Sequence, residues 1–275
     1  MKTKKSFGAI PYLIWIVLFV VLPLLLVLYQ SFFGFDGQLT LSNYQQFFSK
    51  SIFIKMTLGS FWYAFLITLF TLLISYPAAY FLSKLKHQQF FLLLIILPTW
   101  INLLLKAYAF IGIFGEQGIV NNFLSFFGVA PQNILFTDFS FLFVATYIEI
   151  PFMILPIYNA VVDVNPALLR AGSDLGATKL QVFQKIVLPL TWPGVRAGVQ
   201  AVFIPSLSLF MLTRLIAGNR VITLGTAIEE YFLTTMNWGM GSTIGVLLII
   251  IMIVVMFFGN GRRKVRKGGH IHEEV

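Results

Sequence analysis

The sequence predicts an all-α polytopic membrane protein with six transmembrane helices, and three observations predict it. Hydrophobic residues make up 58% of the 275-residue chain and charged residues 11%, too little polar side chain to cover a water-soluble globule of that size. Apolar stretches recur six times, each near the ~20 residues that cross a ~30 Å hydrocarbon core. Basic residues concentrate in alternate loops, as in an oriented bundle.

The stretches are residues 10–33, 57–82, 90–114, 139–162, 191–216 and 241–258. Lipid offers no partner to a free N–H or C=O, so each must be a helix that bonds to itself. Pro23, Pro77, Pro98, Pro151, Pro156 and Pro205 fall inside them and predict kinks. The start of the chain, Met1 to Lys5 followed by an apolar run, resembles a signal peptide. That run exceeds the ~7–15 apolar residues of such a leader, holds Pro11 and Pro23, and lacks an A-x-A cleavage site, so it is read as a retained first span.

Six spans place both termini on one side. That side collects Lys2, Lys4, Lys5, Lys84, Lys86, Arg170, Lys179, Lys185, Arg262, Arg263, Lys264, Arg266 and Lys267, against Lys50, Lys55 and Arg220 opposite. The positive-inside rule therefore predicts cytoplasmic termini. The net charge of +9 is largely a topology signal. The 262–267 basic run abuts a span, so a lipid surface and not a nucleic acid is the expected neighbour. The absence of cysteine excludes disulfides and thiolate metal sites.

The chain reads as one transmembrane domain, 1–275, without linkers or short repeats. Loops 34–56 and 115–138 have room for short interfacial helices, with Thr40-Leu41-Ser42-Asn43 as a start signal, but for no soluble domain. Segment 163–189, between spans four and five, is more informative. Asn165 before Pro166 is an N-cap followed by proline at the first helical position, which predicts a helix from 166 to about 174. Gly176 supplies a left-handed end, and Thr178 with Gln181 forms a capping box for a second helix through 186. Pro189 and Pro193 are expected to stop or redirect that helix into span five. A DNA-binding helix-turn-helix is the other reading of such a pattern; tethering at both ends to spans and the lack of a basic recognition face argue against it.

Within this segment Arg170-Ala171-Gly172-Ser173-Asp174-Leu175-Gly176 is followed, after nine residues, by Ile186-Val187-Leu188-Pro189. The pattern resembles Glu-Ala-Ala, three residues, Gly, nine residues, Ile-x-Leu-Pro, the cytoplasmic signature of permease subunits of bacterial ATP-binding-cassette (ABC) importers. Ala171, Gly176, Ile186, Leu188 and Pro189 are in register; Arg170 stands where Glu is usual and Gly172 where the second Ala is. The resemblance implies a type I importer (MetI-like) permease fold whose coupling helix docks in a groove of an ATPase subunit. It implies that role for Arg170, Ala171, Gly172, Asp174, Leu175 and Gly176, with Ile186, Leu188 and Pro189 completing the motif.

Leu41-Ser42-Asn43-Tyr44, Leu97-Pro98-Thr99-Trp100-Ile101-Asn102, Ile150-Pro151-Phe152-Met153, Leu175-Gly176-Ala177-Thr178-Lys179-Leu180-Gln181 and Ile204-Pro205-Ser206-Leu207 are similar to the spermidine/putrescine branch of that family. Permeases for other solutes, including iron, share parts of them. The resemblance implies two ATPase subunits, a second permease subunit and an extracellular substrate-binding protein as partners. The chain itself is expected to hydrolyse nothing: no G-x-x-x-x-G-K-[ST] loop occurs, and the histidines are Lys-flanked His87 and the tail pair His270 and His272. No cofactor or metal is expected.

For the path of the solute, charged residues inside spans are the place to look, because lipid makes them costly unless they face water or a partner. Glu149 lies in span four, two residues before Pro151, and a carboxylate there suits a polycation. Trp100, Tyr108 and Tyr147 offer cation–π contacts of ~0.5–2 kcal/mol, and Asn102 a hydrogen-bonding group. Ordinary packing is the alternative for the aromatics, and pairing with Lys106 for Glu149. Arg214 would repel a cation and is expected to pair with Glu229 or Glu230. A secondary transporter, with Glu149 as its proton-coupling group, is the competing class; few intramembrane charges and no inverted repeat of broken helices weigh against it.

Overall fold

The computed structural model describes residues 10–218 and 220–259. The readings on Lys2, Lys4 and Lys5, on the 262–267 run and on His270 and His272 lie outside the described residues. In chain order the helices are α1 (Ile10–Gln30), α2 (Ser42–Ser49), α3 (Ser51–Leu82), α4 (Gln88–Ile96), α5 (Leu103–Phe114) and α6 (Ile119–Phe126), then α7 (Asp138–Val162), α8 (Pro166–Asp174), α9 (Lys179–Ser206), α10 (Phe210–Leu215), α11 (Leu224–Glu229) and α12 (Trp238–Gly259). Six helical runs are long and apolar enough to cross a membrane, the third of them Leu103–Phe126, which takes in α5 and α6. An isolated antiparallel bridge, Phe33 to Leu39, closes the turn after α1.

Helix α7 is the axis of the bundle. Of its most apolar stretch 61% is buried, against none of α1, and α3 and α9 pack along it. Close approach to α9 depends on glycine. A Cβ at Gly194 would lie 2.6 Å from the Pro156 carbonyl oxygen, and one at Gly198 2.7 Å from Met153 Sδ. Lipid tails are as apolar as the side chains, so such contact is what holds spans together. A second cluster, including Phe53, Ala64, Leu224, Met240 and Ile244, joins α3 and α11 to α12. There Thr243 Oγ1 donates to the Ser31 carbonyl (3.1 Å), and Asn43 Nδ2 to that of Phe33 (2.8 Å).

Two predicted spans are not single helices. Stretch 90–114 breaks into α4, a 3-10 turn Leu97–Trp100 and α5, because Pro98 lacks a donor and Asn102 restarts the helix as N-cap. Stretch 191–216 ends its helix at Ser206, and α10 follows separately. Of the stop or redirection expected at Pro189 and Pro193, the stop is absent, since α9 runs through both into the fifth span. A wide turn, Phe183–Val187, precedes Pro189, with Leu188 N–H bonded to Phe183 O; it draws the backbone away from the carbonyl the ring would strike. The same device, Val17–Val21, precedes Pro23. Pro77, Pro151 and Pro156 sit inside unbroken helices.

Loop 115–138 folds around one amide. Buried Asn121 donates to the Gly115 carbonyl (2.9 Å) and the Gln132 carbonyl (3.0 Å), and its Oδ1 accepts the Gln132 N–H (2.8 Å). Replacing it with alanine orphans these backbone groups, at about 1–3 kcal/mol for each one left buried. Asn121→Ala is therefore expected to speed proteolytic cleavage within 115–138 in intact membranes, measured against wild type, with the spans left uncut.

Candidate coupling site and translocation path

The segment between α7 and α9 is specified by its own capping chemistry. Asn165 Oδ1 accepts the Ala167 N–H (2.9 Å), and Pro166 opens α8. The helix ends in a Schellman arrangement: Ala177 N–H reaches Gly172 O (3.1 Å), Gly176 N–H reaches Ser173 O (2.9 Å), and Gly176 takes φ +79°. Thr178 and Gln181 then exchange the two bonds of a capping box at the start of α9.

This geometry sorts the motif residues. Arg170, Ala171, Asp174, Leu175 and Gly176 are exposed, Leu175 at 88%. Gly172 is buried, and a Cβ there would stand 2.7 Å from Ile186 Cδ1 and 3.4 Å from Val182 Cγ2. The nine-residue spacer is thus the length that brings Ile186 back under Gly172, and Gly172 closes the unit on itself. Ile186 and Leu188 are half-buried around buried Val187, and Pro189 is exposed. The base is tied to the bundle. Phe183 stands edge-on to Tyr80 (5.2 Å) and Tyr76 (5.8 Å), and the Tyr76 and Thr191 hydroxyls are 2.8 Å apart. The root of the unit thus packs against α3 through Tyr76 and Tyr80 and continues into α9.

The path candidates are more dispersed. Glu149 is 5% exposed and within electrostatic reach of Lys106, but no ion pair joins them among the described residues; the pair there is Arg214 with Glu229, at 2.8 Å. Asn102 Oδ1 accepts the Leu104 N–H (2.8 Å) as the cap of α5. Trp100 is 82% exposed, and Tyr108 is also exposed. Tyr147 packs edge-on against Phe110 at 5.2 Å and lines an apolar cleft of about 400 Å³ between α3 and α7. Sequence reasoning missed Thr146, one turn before Glu149, buried with its hydroxyl unpartnered by protein. It also missed the Gly194–Gly198 pair, which a G-x-x-x-G scan of the fifth span finds.

No family model matches the chain. It is 35% identical over 253 residues to the spermidine/putrescine transport system permease protein PotB of Haemophilus influenzae, with 88% of each chain covered. The chain belongs to the PotB family of ABC-importer permeases. Escherichia coli PotB is 35% identical over 246 residues, 86% of this chain and 89% of the relative. The inner membrane ABC transporter permease protein YdcU of E. coli is 31% identical over 216 residues, 70% and 69% of the two chains. Among solved structures, a chain of a bacterial alginate ABC transporter in complex with an alginate-bound periplasmic protein superimposes with TM-score 0.80 at 19% identity, covering 95% of this chain and 94% of that one. A second alginate-importer structure gives 0.75, with 91% of each chain covered. At that identity the likeness establishes the fold, and the PotB-family bundle is that of an ABC-importer permease.

Proposed function

We propose that the chain is the non-catalytic permease subunit of a binding-protein-dependent importer that moves spermidine and putrescine across the bacterial inner membrane into the cytoplasm. The observation that carries the reading is the capped α8 unit, with Leu175 at its tip and Phe183 at its root, in a chain 35% identical to named spermidine/putrescine permeases. The face bearing α8, and with it both termini, is cytoplasmic. Two ATPase subunits grip α8 and the matching helix of a second permease subunit. Their closure on ATP rotates α9 and α7 as rigid bodies and opens the path to an extracellular binding protein.

In that path Glu149 receives an ammonium group, with the Thr146 hydroxyl one turn away. Trp100 and Tyr108 present aromatic faces, and Tyr147 and Asn102 shape the walls. The test is purification of the tagged chain from its own bacterial membranes, with labelled-spermidine uptake measured in the same cells. An ATPase and a second permease are expected to co-purify; their absence from a transporting preparation would end the importer reading. Glu149→Gln preserves shape and removes the charge. It is expected to lower spermidine uptake about tenfold or more, the value of one charge-assisted hydrogen bond, with unchanged protein in the membrane; unaltered uptake removes the carboxylate from the mechanism.

A further inference from the structure

Beneath α8 lies a cavity whose lining leaves out the exposed tip residue Leu175. It holds about 520 Å³ where α3, α7, α8 and α9 meet, at the end of the spans, where loops rich in lysine and arginine emerge. Its walls are of two kinds. Val161, Val164, Leu169 and Val182 form an apolar side, while Lys84 and Lys179 supply two cations and no carboxylate lines it. Both lysines are exposed, and neither is ion-paired among the described residues. Lys84 Nζ is held 3.8 Å from the Tyr80 ring centroid, which orders the ammonium while leaving hydrogens for an anion.

We propose that this cavity binds the phosphate headgroup of an anionic phospholipid from the cytoplasmic leaflet, with the first acyl carbons against the valine wall. Basic pockets between spans at the cytoplasmic surface suit such headgroups. An apolar wall beside two cations distinguishes an amphiphile from a free anion, which would gain nothing from it. Because Leu169 belongs to α8 and Lys84 to the loop after α3, the lipid bridges the coupling helix to the bundle. The site does not depend on which solute is carried.

The test is native mass spectrometry of the assembly purified in mild detergent, titrated with short-chain phosphatidylglycerol, short-chain phosphatidylcholine or inorganic phosphate. Phosphatidylglycerol is expected to bind, phosphatidylcholine to bind far more weakly, and inorganic phosphate not to compete at matched concentration. Lys84→Gln with Lys179→Gln is expected to weaken phosphatidylglycerol about fivefold for each lysine. The corresponding arginine pair should retain binding, as should Lys86→Gln with Lys185→Gln, which lie off the cavity. Wild-type phosphatidylglycerol binding by the glutamine pair overturns the proposal. So does equal binding of phosphatidylcholine, which leaves only an apolar crevice, or competition by inorganic phosphate, which makes it a free-anion site.

Discussion

Leu175→Asp is expected to abolish ATP-driven uptake while leaving the protein in the membrane at its normal level. Leu175 caps α8 and is 88% exposed, so within this chain it supports no packing that aspartate would remove. The cost to the fold is a carboxylate at a helix C-terminus, about 0.3–1 kcal/mol. The cost to docking is larger. An apolar anchor at the centre of an interface contributes about 2 kcal/mol or more, and a charge forced into the same groove adds desolvation. A loss of roughly 30-fold or more in ATPase affinity follows, and uptake should fall with it. The measurements are labelled-spermidine uptake and the amount of ATPase recovered with the tagged permease. Leu175→Met, which keeps the apolar volume, should retain both. If Leu175→Asp transported normally with its ATPase still bound, the tip of α8 would not be where the two proteins grip. Gly172→Leu is the informative contrast. It meets Ile186 and Val182, so it should damage the unit itself and reduce the protein present in the membrane.

The α8 unit was legible in the sequence because every signal in it is local. Asn165 with Pro166, Gly176, and Thr178 with Gln181 act over two to five residues, and the expected helix 166–174 is the observed one. The spans were legible by hydropathy, but their breaks were not. Pro98 lies at a break, whereas Pro77, Pro151 and Pro156 lie in unbroken helices, so proline alone does not decide. What decides is whether a neighbour such as Asn102 can cap a new helix and whether packing accepts the bend. The candidate site was legible in composition and not in direction. The resemblance implies a docking role for Gly172, and only the turn at Gly176 swings it inward onto Ile186. Glu149 reads from sequence either as a carboxylate for a cation or as a partner for Lys106, and no ion pair joins it to Lys106 among the described residues.

Substitution of Gly194 tests the path by which a movement at α8 reaches Glu149. Helix α9 carries the α8 unit at one end, and α7 carries Glu149; Gly194 and Gly198 set how closely the two approach. Even alanine at 194 puts a methyl 2.6 Å from the Pro156 carbonyl oxygen, a backbone atom that cannot rotate aside, so the helices must separate. At 198 the nearest obstacle is the flexible Met153 thioether at 2.7 Å, which can. In α5, Gly112 has nothing within 4 Å of its Cβ position. Alanine there should be neutral or stabilising by up to about 1 kcal/mol from helix propensity. Overpacking costs about 1–3 kcal/mol, and in a membrane no solvent-driven term compensates for lost contact. The expected order of thermal stability in detergent is therefore Gly112→Ala highest, Gly198→Ala intermediate and Gly194→Ala lowest, with Gly194→Leu failing to accumulate. Equal melting of Gly194→Ala and Gly112→Ala would contradict the close α7–α9 contact. The predicted order, with spermidine uptake per folded molecule lost first at Gly194, would identify that contact as the joint through which ATPase closure reaches the buried carboxylate.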